Sequence, residues 1–173
     1  MALRRRPTRA GHGFLGGSDK TFMAKKLVIS SPEFIEGGTI PKKYTADGES
    51  VNPPLTIDGV PEGTQDMALI MDDPDAPKRV FTHWLLWDIE PAASISEDTS
   101  PGVSGMNSAG NTGYTPPDPP SGNHRYFFRI YALDIGLNLR TGAPRDALEA
   151  AMQGHVLAEG VMMARYGRVA EHA

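Results

Sequence analysis

The chain has no cysteine. That excludes a disulfide framework and thiolate chemistry, and it suits a reducing compartment such as the cytoplasm. It also lacks any apolar run of the ~20 residues that a membrane-spanning helix requires, so stable membrane insertion is not expected. Positive charge is scarce outside one end. Residues 1–22 hold Arg4, Arg5, Arg6, Arg9 and Lys20 against Asp19, a net +4, so with a total of −4 the remaining residues carry −8. An acidic body of this kind argues against nucleic-acid binding.

What is present points to one β-rich domain. The 173 residues suit a single core, and 39% apolar content is that of a globular chain. Gly 19 and Pro 15 imply many turns and few long helices. The basic leader "MALRRRPTRAGHGFLGGSDKTF" has an arginine pair but no apolar segment after it, so neither a Sec nor a twin-Arg signal is expected. It reads as a disordered extension over 1–22, or as an upstream start ahead of Met23, with one domain over 23–173.

Strand-like runs follow at Lys25–Ser31, Leu55–Ile57, Asp66–Asp72, Thr82–Ile89 and His124–Asp134. "DMALIMD" is nearly all apolar, as expected of a strand covered on both faces. Residues 91–123 are rich in Pro, Gly, Ser and Asn and read as a long loop. Helix is expected only near the C-terminus. Asp146 would cap a first helix, with Glu149 completing a capping box and an end near Gly154. Val156–Tyr166 would be a second helix despite Gly160, with Leu157, Val161, Met162 and Ala164 on a core-facing stripe.

Chemistry concentrates at strand ends. Asp72, Asp73 and Asp75 crowd "MDDPDAPKRVFTHW", and His83 heads the next apolar run. Alternation puts His83, Leu85, Trp87 and Ile89 on one face, and His124, Tyr126, Phe128 and Ile130 on one face of the later strand. If these strands are neighbours, two carboxylates and two imidazoles meet at one rim. Pro116, Pro117, Pro119 and Pro120 lead into His124 as a stiff loop able to wall a small cavity. Each residue also has a structural reading: a histidine at a strand end can be a core residue, and Asp75 can close a turn. Three chemistries could use the set. Imidazoles and N–H groups could hold an anion, with a carboxylate setting the histidine tautomer. Two histidines and two aspartates could ligate a metal, although no compact ligand spacing is present. Ser121, outside any G-x-S-x-G elbow, could serve a hydrolase.

"DPDAP" (Asp73–Pro77), His83 at a strand start and "PPSGNHRYFFRIYALD" (Pro119–Asp134) together resemble the phosphatidylethanolamine-binding protein family, most nearly its bacterial, Raf-kinase-inhibitor-like branch. The resemblance runs from about Leu27 to Tyr166, supported by "IPKKYTADGESVNPPLTIDGVPEGT" and "GHVLAEGVMMARY". It implies an antiparallel Greek-key β-sandwich with a few peripheral helices. It further implies a pocket at the sheet ends that accepts phosphate or a phosphoethanolamine-type head group. The pocket residues would be Asp73, Asp75, His83, Pro119, Pro120, His124 and Tyr126, with Pro77 on the floor.

Three features depart from the family pattern. The link "KRVFT" before His83 is short, Asp118 places an extra carboxylate beside Pro119, and the C-terminal helix is expected to end early, near Arg168, so that any C-terminal cap on the pocket differs. The expected function is non-enzymatic binding of a small anion in the cytoplasm, with no cofactor. The resemblance also implies a second reading, a kinase or protease inhibitor acting through the 91–123 surface, and it allows a homodimer. A metal-dependent or serine hydrolase is a third reading.

Overall fold

Asp66–Asp73 (β4) is buried along its whole length, and Phe81–Ile89 (β5) nearly so. These two strands pair antiparallel at the middle of the molecule. The computed structural model describes residues 25–168, so the leader lies outside the described residues. Around β4 and β5 the chain adds β1 (Lys25–Lys26), β2 (Val28–Ser30), β3 (Leu55–Asp58), β6 (Ser94–Ile95), β7 (Val103–Ser104), β8 (Gly122–Leu133) and β9 (Val156–Arg168). One α-helix, α1, spans Arg145–Met152. The larger sheet has the order β1-β9-β8-β4-β5-β7 and the smaller β2-β3-β6. This is the expected mainly antiparallel sandwich, except that β1 runs parallel to β9 at the edge.

Strand alternation divides the apolar residues into two layers. Met67, Leu69, Met71, Tyr126, Phe128 and Ile130 point between the sheets. Ala68, Ile70, Leu85 and Trp87 point the other way and pack under Leu148 and Met152 of α1. A strand covered on both sides explains why the Asp66–Asp72 segment is nearly all apolar.

Two local expectations are corrected. Val156–Tyr166 is not a helix but most of the 13-residue strand β9. Its Ala, Leu and Met residues favour helix in isolation, but its full-length pairing with β8 overrides that propensity. Burial accordingly has a period of two: Ala158, Met162, Ala164 and Tyr166 are buried, while Glu159, Val161 and Arg165 are exposed. In α1, Pro144 occupies the N-cap and no side chain caps it. Asp146 instead accepts from the N–H of Ala147 (2.9 Å), and Glu149 accepts from Arg145 Nε (2.6 Å), so the capping box does not form.

The expected strand over Lys25–Ser31 is one extended run shared by both sheets, β1 in the larger and β2 in the smaller. It changes sheets at Leu27, whose N–H donates to Glu159 O (2.9 Å). Gly160 makes the crossing possible: a Cβ there would lie 2.4 Å from Leu27 O.

The 91–123 loop is tied down. Asn107 Nδ2 donates to Gly113 O (3.0 Å), and its Oδ1 accepts from the N–H groups of Ala109 (3.0 Å) and Asn111 (3.2 Å). The N–H of Thr115 donates to His83 O (3.0 Å), which lays the Pro-rich stretch along the start of β5.

Candidate functional site

The end of β4 and the starts of β5 and β8 lie side by side, because β4 sits between the other two. A cavity of about 370 Å³ opens at this rim. Asp73, Ala76 and Pro77 line it from the β4–β5 turn, Phe81 and His83 from β5, and His124 and Tyr126 from β8. Thr115, Pro116 and Asp118–Pro120 form the opposing wall. The volume is that of a small-ligand site.

Alternation alone would turn His83 away from this cavity. A bulge in β5 reverses that. Met71 pairs with Trp84 and Asp72 with Thr82, leaving His83 as an extra residue between them. Thr82 faces α1, where its hydroxyl accepts from Arg145 (3.2 Å). His83 and Trp84 then both face the space between the sheets. His83 accordingly meets the Tyr126 ring edge-on at 5.3 Å, while Leu85 and Trp87 pack under α1. The expected face His83–Leu85–Trp87–Ile89 is therefore split, with Ile89 back in the inter-sheet core.

The three aspartates have three different tasks. Asp72 is buried on the α1 side and pairs with Arg129 (3.2 Å) and Arg145 (3.0 Å). Asp73 faces the cavity: its Oδ2 accepts from His124 Nδ1 at 2.6 Å, and its Oδ1 accepts from the N–H of Asp75 at 2.8 Å. Asp75 is outside the cavity lining. Its carboxylate is clamped by Arg125 through Nε (3.0 Å), Nη2 (2.9 Å) and the backbone N–H (2.8 Å). The Arg125 hydrogen bond is the main cause of a carboxyl pKa lowered to about 2. Asp75 thus braces the turn that carries Asp73, Ala76 and Pro77.

The imidazoles are held in defined tautomers. Thr115 O can only accept, so His83 Nδ1 at 2.8 Å carries the proton and Nε2 is the bare nitrogen of the neutral ring. Burial is the main cause of a lowered pKa for His83. Asp73 likewise makes Nδ1 of His124 the donor. Tyr126 is fully buried, and its hydroxyl has no hydrogen-bond partner among the described residues. Burial, followed by the charge of Asp73, raises its pKa, so the hydroxyl keeps its proton. Ser121 is exposed and is not among the lining residues. Among the described residues, no group of three or more His, Cys, Asp or Glu side chains is arranged to hold a metal ion.

Comparison with known proteins shows the family. A family model described as phosphatidylethanolamine-binding protein matches residues 30–167. The chain belongs to the phosphatidylethanolamine-binding protein family. It is 47% identical over 148 residues to a UPF0098 protein of Methanothermobacter thermautotrophicus, covering 81% of this chain and 98% of that one. A UPF0098 protein of Pyrococcus abyssi is 41% identical over 169 residues, covering 91% and 92%. Among solved structures, a putative phosphatidylethanolamine-binding protein homologue from Chlamydia trachomatis superposes with a TM-score of 0.81 at 35% identity, covering 84% of this chain and 99% of that one. E. coli YbcL superposes with a TM-score of 0.76 at 24% identity, covering 83% and 99%, a likeness of fold.

In this family member the structure brings together Asp73, His83, Pro119, Pro120, His124 and Tyr126, and it sets Asp75 behind them. Sequence reasoning missed Phe81, whose ring lies 4.7 Å from that of His83. Its position two residues before His83 was a usable signal. It also missed Arg125 and Arg168, whose partners are 50 and 121 residues away. No helix of the described residues is long and apolar enough to cross a membrane.

Proposed function

We propose that the cavity binds a small anionic or phosphorylated ligand, of the phosphate or phosphoethanolamine type, without turning it over. The observation that carries this reading is Tyr126, a lining residue whose buried, protonated hydroxyl has no acceptor among the described residues, in a cavity flanked by two histidines. A buried hydroxyl without a partner is unfavourable by about 1–3 kcal/mol, and an anionic acceptor would reverse that penalty. Asp73 and Thr115 hold the Nδ1 atoms, so His124 and His83 can act on a ligand through Nε2. Donation from His83 Nε2 requires a second proton, which burial disfavours and an anion would favour. Binding is then coupled to proton uptake at His83. The exposed position of Ser121, outside the cavity lining, supports binding over serine hydrolysis.

The test is an NMR titration of the imidazoles, after metal removal, with inorganic phosphate and with phosphoethanolamine. Both ring signals should shift, and the titration midpoint of His83 should rise with anion. Unmoved signals with either anion would overturn the reading. Broadening with Zn²⁺ or Fe²⁺ alone would transfer the site to a metal.

A further inference from the structure

A cavity for anions should not carry a free carboxylate on its wall, yet Asp118 is a lining residue. Arg168, at the end of β9, resolves the conflict. Its Nη2 lies 2.7 Å from Asp118 Oδ1 and donates to Asp47 Oδ1 at 2.8 Å. Its Nη1 donates to the carbonyl of Pro119, itself part of the wall, at 2.8 Å. Asp47 is further engaged by the Tyr166 hydroxyl. The same turn grips the wall a second time, through the N–H of Ala46 donating to Pro117 O at 3.0 Å.

We propose that Arg168 is a specificity-determining and positioning residue of the cavity: it offsets the charge of Asp118 and ties the Pro117–Pro120 wall to the 45–47 turn. One cation is shared between two carboxylates and a carbonyl, so its removal does two separable things. It exposes the cavity to the negative charge of Asp118, and it frees one of two tethers on the wall. A guanidinium suits this task because its planar fork serves several acceptors at once. The charge part of the proposal rests on the anion reading above; the tether part does not.

The test uses the full chain with Arg168→Gln, Asp118→Asn and the double substitution, with inorganic phosphate as probe. Arg168→Gln should weaken phosphate binding about fivefold, the size expected of one uncompensated charge at the cavity rim. Adding Asp118→Asn should return the affinity to within about twofold of the parent, a rescue that loss of packing alone would not produce. Asp118→Asn alone should bind phosphate more tightly than the parent. Unchanged binding in Arg168→Gln, or a double variant as weak as the single one, would overturn the charge role. Hydrogen exchange of the Ala46 amide reads the tether without any ligand, and it should quicken about tenfold in Arg168→Gln. If the parent ignores phosphate, the anion reading falls. Unchanged Ala46 exchange would then overturn the tether role as well.

Discussion

Asp73 Oδ2 and His124 Nδ1 lie 2.6 Å apart across the neighbouring strands β4 and β8, both nearly out of water. The pair is made by topology, since 51 residues separate its members. Asp73 also holds the N–H of Asp75, so one carboxylate orients an imidazole and closes a turn. Asp73→Asn keeps the shape but removes the charge. It should destabilise the protein by about 1–3 kcal/mol, the range for leaving a buried hydrogen-bonding group without its partner, because Asn has one acceptor oxygen where Asp73 uses two. Urea denaturation measures this, and a loss below about 0.5 kcal/mol would show that the Asp73 side chain does not hold the fold.

Tyr126→Phe separates fold from function. The hydroxyl makes no hydrogen bond among the described residues, so its loss should leave stability unchanged or raise it slightly. Phosphate affinity should nevertheless fall about tenfold, as expected for one hydrogen bond to a charged acceptor. Thermal denaturation and calorimetric titration of the same variant check both halves. A clear drop in stability would mean that the hydroxyl serves the fold.

The far end of β4 carries a pH-dependent element. Asp66 is buried, and its pKa is pushed up to about 7, first by burial and then by the neighbouring Asp88. The folded-state value lies above the unfolded value near 3.8. The stabilisation from this group is therefore complete below that unfolded value and is lost as pH rises through about 7. Stability should decline across that interval by at most about 1.4 kcal/mol per pH unit. Asp66→Asn should flatten the decline. Melting temperatures of both proteins between about pH 4 and about pH 8 would show it.

Gly160→Ala reports on the β9 assignment through its sign. In a helix interior the change would stabilise by about 1 kcal/mol. In β9 the new Cβ would press on the Leu27 carbonyl at 2.4 Å and on Leu27 Cβ at 2.9 Å. Destabilisation of about 2 kcal/mol or more is expected, because the obstacle is backbone that cannot move without shifting the β1–β2 crossing. Chemical denaturation gives the answer directly.

Much of the site was legible in the chain. Prolines after Asp73 ended a strand, the histidines headed two apolar runs, and alternation placed Tyr126 beside His124. These are local properties: φ restriction by proline, a side-chain period of two, and the burial preference of apolar residues. The short turn "DPDAPKRV" also limited β4 and β5 to an antiparallel pair.

Other features needed distant partners. Val156–Arg168 became a strand because β8 offered an unpaired edge along its whole length, a preference stronger than that of its Met and Ala residues for helix. His83 faces the cavity because of a bulge, and a bulge is a mismatch between two strands, visible in neither alone. Asp75 turned from candidate ligand to brace because Arg125, 50 residues later, arrives beside it. Period, turns and the residues capable of chemistry were set by the sequence, because they depend on neighbours along the chain. Which carboxylate meets which cation was decided by tertiary structure, because ion pairs and cavity walls depend on neighbours in space.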